Sequence, residues 1–243
     1  MFVQSVSLII PCYNEEEVLE DSAARLTALF DELVAKEKIS ADSFVLFVND
    51  GSKDRTWSII KKLHGTNPYI KGMNLARNVG HQYAIMAGMM TAKDWSDAVI
   101  TIDADLQDDL NAIEEMIDAY TQGYDVVYGY YMEKKQTTFR KFGAWFNQMT
   151  VHCFLKKPKD IISSSFWIMR KYVRDEIIHY TGAYTYLLGL ILRTTNNIKS
   201  VEVKHYEREV GSSGYTLKAL IKLWSNITGF TSKPLHIIMN LGY

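Results

Sequence analysis

Asp103-Ala104-Asp105 stands at the end of an apolar run, residues 98–102, and is followed closely by Gln107, Asp108 and Asp109. Two carboxylates one residue apart repel each other unless a cation or a proton intervenes. Mg²⁺ takes one or two carboxylates and completes its shell with water and phosphate oxygens, so the spacing points to a metal holding a diphosphate. The competing reading is helix capping, because Asp and Asn are favoured at helix starts and Asn111 with Glu114 has capping-box spacing. Capping accounts for Asp109 and Asn111 but leaves Asp103 and Asp105 unexplained. On its own the acidic pair stays balanced between a metal site and an acidic loop.

The elements that must position these acids follow an α/β pattern. Apolar runs at residues 6–10, 44–48, 98–102 and 125–130, with a shorter one at 70–75, read as strands. They alternate with helical periodicity at 15–36, 56–64, 80–90 and 110–122, which predicts a mainly parallel sheet covered by helices. Beyond Tyr130 the expected order is an aromatic helix over 138–155, a strand at 166–169, a helix at 184–192 and a strand at 198–205. In such sheets ligands bind outside the carboxyl ends of the strands, where Asp103 and Asp105 sit.

Other strand ends carry polar residues too. The first is followed by Pro11-Cys12-Tyr13-Asn14-Glu15-Glu16 and the second by Asn49-Asp50-Gly51-Ser52-Lys53-Asp54-Arg55-Thr56. Gly51 permits a tight turn, and Asp50 could accept hydrogen bonds from a base or ribose, whereas Asp54 and Thr56 are equally well explained as a turn and a helix cap. In Arg77-Asn78-Val79-Gly80-His81 a cation beside a glycine at a helix start could bind phosphate. His81 reads as a helix-start donor rather than a catalyst, and the six histidines form no metal-ligand pair at helical spacing.

Taken in order, PCYNEE, VNDGSKDRT, ARNVG, DADLQDD and Arg208-Glu209-Val210-Gly211-Ser212-Ser213-Gly214-Tyr215 resemble the family 2 glycosyltransferases of GT-A fold. Within that family the chain is similar to enzymes that move a sugar from a nucleotide onto a polyprenyl phosphate. The resemblance implies a Rossmann-like, mixed and mainly parallel sheet flanked by helices, and an inverting transfer from a nucleotide-diphosphate sugar, expected to be UDP-linked, to undecaprenyl phosphate. It assigns nucleotide-sugar binding to Pro11, Tyr13, Asn14, Glu15, Asp50, Gly51, Ser52, Arg77, Asn78, Asp103, Ala104 and Asp105. Asp105 and Gln107 become the leading ligands for Mg²⁺ or Mn²⁺, with Asp103 on the nucleotide or the metal's water. Arg140, Lys141, Arg208, Ser213 and Tyr215 are assigned to the acceptor phosphate, for which a guanidinium fork is well shaped. A phosphate nucleophile, with a second pKa near ~6, needs no strong base. A sugar hydroxyl acceptor would need one, and Asp108 is the nearest spare carboxylate. Relatives show a Gly-Phe pair where this chain has Ser165-Phe166, a departure that counts against carrying a sugar-binding role over to Asp160.

Composition narrows the class further. A chain of 243 residues, 47% hydrophobic, can bury a full core, and a net charge of -1 without long basic stretches offers nucleic acid no attraction. Cys12 and Cys153 form no CxxC pair, which indicates neither a disulfide framework nor a zinc site and fits a reducing cytoplasm. No signal peptide and no spanning helix are expected. The division expected is a catalytic domain over 1–215, with a nucleotide half over 1–109 and an acceptor half over 110–215, then an amphipathic segment over 216–243. Its helix over 216–227 suits either a membrane interface or packing on the catalytic domain; the expected location is the cytoplasmic face of the cell membrane, and whether the natural chain continues into spanning helices, as relatives that use lipid carriers often do, stays open. A homo-oligomer stays open.

Overall fold

A computed structural model describes residues 4–130, 149–150, 152, 155, 157–158, 161–182, 185–203, 229–230 and 239. Within them lie β1 (Val6–Cys12), α1 (Leu19–Ala35), β2 (Phe44–Asn49), α2 (Thr56–Thr66), β3 (Ile70–Asn74), α3 (His81–Ala92) and β4 (Ala98–Thr101). There follow α4 (Ala112–Thr121), β5 (Val126–Tyr130), β6 (Trp167–Arg170), α5 (Lys171–Ile178), α6 (Leu187–Thr194) and β7 (Ile198–Glu202). The helix expected over 138–155, apart from helical positions at 149–150, 152 and 155, and the one over 216–227 fall outside the described residues.

The seven strands form one sheet in the order β3-β2-β1-β4-β6-β5-β7. β3, β2, β1 and β4 run parallel, β5 and β7 pair parallel, and β6 runs antiparallel between β4 and β5. β1, β2 and β4 are almost wholly buried, because helices cover both faces. That is why they read as unbroken apolar runs rather than alternating ones. On one face Leu8, Ile10 and Cys12 pack with Leu26, Phe30 and Leu33 of α1 and Ile113, Met116 and Ile117 of α4. On the other, Ile9, Leu46 and Val48 meet Ala84, Ile85 and Met89 of α3, Val173 and Ile177 of α5, and Leu190 and Ile191 of α6.

Three details differ from the sequence expectation. The first helix starts at Leu19 rather than near Glu15, because residues 14–18 form a loop with Asn14 at φ 57°. The capping box at α4 does not form. Asp109 accepts the Asn111 amide at 3.1 Å and its side-chain Nδ2 at 2.9 Å, while Glu114 pairs with Lys36 at 2.7 Å and Lys38 at 3.4 Å. α5 carried too short an apolar pattern to stand out, and its fully buried Arg174 donates to the carbonyls of Ser96 at 2.8 Å and Lys93 at 2.7 Å. That guanidinium satisfies the carbonyl end of α3 and fixes the helix whose other end faces the site described next.

Candidate active site

The carboxyl ends of β1, β2 and β4 open onto a cleft of about 330 Å³. Pro11, Cys12, Tyr13 and Glu15 enter from β1, Asp50 from β2, Asn78, Gly80 and His81 from the start of α3, and Asp103, Ala104 and Asp105 from β4. Three strand ends that are distant in sequence therefore share one crevice, as open α/β sheets require of a ligand site.

The first two loops are sewn to each other. The Asn14 amide donates to Ser52 Oγ at 3.0 Å, and the Lys53 amide donates to Asn14 Oδ1 at 2.9 Å. The Glu15 amide donates to Thr56 Oγ1 at 2.9 Å and the Glu16 amide to Asp54 Oδ2 at 3.2 Å. Arg55 closes the seam on Glu16 through its Nε at 3.0 Å. Burial would raise the Asp54 carboxyl, but bonds from the Thr56 hydroxyl and the amides of Thr56 and Glu16 outweigh it and hold the group below its ordinary value. Asn14, Gly51 and Ser52 thus shape the wall without lining the cleft, and Asp54 and Thr56 hold the seam and the start of α2.

Asp50 is only 3% exposed. Its Oδ1 accepts the Val79 amide at 2.7 Å and its Oδ2 the Gly80 amide at 2.9 Å, so the carboxylate fastens the loop that leads into α3. Each oxygen can accept a second hydrogen bond, and Asp50 is one of the residues that line the cleft. Gly51, at φ +66°, packs under the same loop: a Cβ there would lie 2.4 Å from the Asn78 nitrogen and 2.5 Å from the Arg77 carbonyl carbon. Asn78 faces the cleft, whereas Arg77 is exposed and is not among the lining residues.

At the acidic strand end, Asp103 Oδ2 accepts the Ser165 hydroxyl at 3.0 Å and Oδ1 lies 3.8 Å from His81 Nε2. Asp105 lies beside it in the cleft wall, with Gln107 half-buried beyond the lining residues. Asp108 is 7% exposed and does not line the cleft. Among the described residues no three His, Cys, Asp or Glu side chains converge closely enough to hold a metal alone. Two carboxylates side by side in the cleft wall suit a hard cation that completes its shell with water and phosphate oxygens, so the donor set fits Mg²⁺ or Mn²⁺ in that mode. Burial, and then the neighbouring Glu15, push the Cys12 thiol up, which keeps it protonated and inert. Cys12, His81 and Ser165 were not singled out as site residues from sequence. His81 had a signal, its place at a helix start after a polar loop, and Ser165 had one in standing where relatives have glycine, but nothing in the sequence tied it to Asp103, 62 positions away.

Arg140, Lys141, Arg208, Ser213 and Tyr215, the expected acceptor residues, lie outside the described residues, as does Asp160. No helix among the described residues is long and apolar enough to cross a membrane.

Residues 7–178 match the family model described as glycosyl transferase family 2. The chain is 36% identical over 247 residues to the uncharacterized glycosyltransferase YkoT of Bacillus subtilis, covering 98% of this chain and 71% of the relative. It is 32% identical over 246 residues to the undecaprenyl-phosphate 4-deoxy-4-formamido-L-arabinose transferase of Aeromonas hydrophila, covering 99% and 72% respectively. Among solved structures, TarS 1-349 of S. aureus in complex with UDP-GlcNAc superposes with a TM-score of 0.58 at 17% identity, over 92% of this chain and 65% of that one. The mixed seven-stranded sheet, the acid-ended β4 and these likenesses agree, and the chain belongs to glycosyl transferase family 2, enzymes that transfer sugars, on a GT-A fold.

Proposed function

We propose that this protein transfers a sugar, with inversion, from a UDP-linked nucleotide sugar to a polyprenyl phosphate of the undecaprenyl type, at the cytoplasmic face of a membrane and with Mg²⁺ or Mn²⁺. The observation that carries this reading is the meeting of Asp103 and Asp105 with the β1 loop, Asp50 and the start of α3 around one cleft. The name of the Aeromonas hydrophila relative supplies the acceptor class.

In this reading Tyr13, 42% exposed at the cleft edge, offers its ring to the nucleobase, with Pro11 and Asp50 beside it. The amino end of α3 at His81 faces the diphosphate, where the helix dipole and the amides that follow Gly80, whose own is held by Asp50, favour negative charge. Asp105 and Asp103 would hold the divalent cation, and Gln107 would join them only by turning toward the cleft. When bound, the cation supplies Lewis-acid stabilisation of the charge that grows on the departing diphosphate. An ionised acceptor phosphate attacks without a base, which agrees with the buried position of Asp108 outside the cleft. Arg140 and Arg208 are the cations assigned to that phosphate, with Lys141, Ser213 and Tyr215 around them.

The test is incubation of the full chain with a panel of labelled UDP-sugars and undecaprenyl phosphate, with and without EDTA, followed by organic extraction. Metal-dependent label in the lipid phase, abolished by Asp105→Ala, is the expected result. Label that appears only on a water-soluble glycan acceptor would move the reading to hydroxyl transfer, and full activity of Asp105→Ala would remove the metal site.

A further inference from the structure

We infer that Ser165 is a positioning residue that sets the orientation of the Asp103 carboxylate toward the donor. This rests on the donor-cleft reading above. Ser165 lies outside the cleft lining, yet its hydroxyl donates to Asp103 Oδ2 at 3.0 Å, on the side of the carboxylate opposite the oxygen that faces His81. Asp103 is thereby held in one rotamer, with Oδ1 left to serve the cleft. An aspartate carboxyl has a broad χ2 preference of its own, so without such a bond its oxygens would exchange freely.

The donor hydroxyl sits on a rigid support. The Ser165 carbonyl accepts Thr101 Oγ1 at 2.6 Å, and Thr101 is buried at the end of β4, two residues before Asp103. Next door, Ser164 Oγ lies within hydrogen-bond distance of both the Phe166 carbonyl, at 2.8 Å, and the Gly129 carbonyl, which share its one proton, and it accepts the Phe166 amide at 3.1 Å. Phe166 is fully buried, and β6 begins at the following residue. The chain before β6 is thus pinned to β4 on one side and β5 on the other, and Ser165 has little room to follow a moving carboxylate. Supporting bonds of this kind around a metal or diphosphate site are typically worth about 10- to 100-fold in affinity or rate.

The experiment measures Mn²⁺ affinity of the protein with UDP, by electron paramagnetic resonance of free Mn²⁺, for wild type, Ser165→Ala, Ser165→Gly, Ser165→Thr, Asp105→Ala, Asp103→Asn, Asp103→Ala and Asp103→Ala/Ser165→Ala. The expected result is a loss of about 10-fold in Ser165→Ala and Ser165→Gly, recovery in Ser165→Thr, which keeps the hydroxyl, and no added loss when Ser165→Ala is placed on Asp103→Ala, which has no oxygen left to accept it. Thermal midpoints within about 2 °C of wild type show that the fold is intact. Wild-type Mn²⁺ affinity in both Ser165→Ala and Ser165→Gly, or losses that multiply in the double variant, would overturn the inference. If Asp103→Asn and Asp105→Ala also leave Mn²⁺ and UDP binding untouched, the donor-cleft reading itself has failed; if they weaken it and Ser165 substitutions do not, only the positioning role falls.

Discussion

Gly51→Ala gives the sharpest test of how the donor side of the cleft is built. Two costs add. The residue sits at φ +66°, a conformation that costs an L side chain about 1–2 kcal/mol. The new methyl would also lie 2.4 Å from the Asn78 nitrogen and 2.9 Å from the Arg77 Cα, both backbone atoms that cannot rotate aside. Relief demands that the 77–80 loop move by about 1 Å, an overpacking cost of about 1–3 kcal/mol. The loop cannot yield freely, because Val79 and Gly80 are fastened to the buried Asp50 carboxylate at 2.7 and 2.9 Å. The total of about 2–5 kcal/mol corresponds to a fall in Tm of roughly 4–20 °C for a domain of this size. Because the displaced atoms belong to Asn78, which lines the cleft, UDP affinity should fall as well, by about 10-fold or more. Thermal unfolding and calorimetric UDP titration on the same preparation measure both. A Gly51→Ala protein with wild-type Tm and wild-type UDP affinity would refute the account of this loop.

Two further predictions concern the supports of the fold. The bonds that hold the Asp54 carboxyl below its ordinary value contribute stability that is present above its unfolded pKa and is lost as pH falls through the lower folded value. Asp54→Asn should therefore lower the urea midpoint at pH 7 and lose less than wild type below about pH 4; equal pH dependence in the two proteins would contradict it. Phe230 is 5% exposed, lies under the Arg193 guanidinium at 4.0 Å, and its ring comes so near Gly189 that a Cβ there would be 2.5 Å from it. Gly189→Ala should destabilise by about 1–3 kcal/mol, and Phe230→Ala should absorb most of that cost in a double-variant cycle, whereas additive losses would show that the two do not meet.

How far the sequence could be read depended on how local the cause of each feature was. β1, β2 and β4 are buried on both faces, so their apolar runs announced them, and α1 and α4 carry apolar stripes matched to one core. The start of α1 was misplaced because Glu15 and Glu16 have good helical propensity, yet their amides are claimed by Thr56 and Asp54 from the next loop. The capping box failed for the same kind of reason, with Glu114 drawn to lysines about eighty positions away. In the site, the residue types at the strand ends were legible, but the division of labour was not. Asp50 looked like a free ligand and spends both oxygens on backbone amides; Ser165 looked like a departure from pattern and touches Asp103.

That division of labour explains why polar residues such as Asn14, Ser52, Asp54 and Thr56 stand at these strand ends without lining the cleft. A diphosphate site must hold its donors and carboxylates still before charge develops, since reorganisation during the reaction would return part of the stabilisation. Loops alone are poor at this, because each ordered residue costs conformational entropy. Here the cost is met by pairing the loops with each other: β1 loop to β2 loop through Asn14, Ser52 and Thr56, β2 loop to α3 through Asp50, and β4 to the turn before β6 through Thr101 and Ser165. Each tie uses a side chain of one loop and the backbone of another, so no strand end is ordered alone. A substitution in any tie should consequently be felt as weaker donor or metal binding before it is felt as unfolding, whereas a substitution in the buried runs of β1, β2 or β4 should unfold the sheet first.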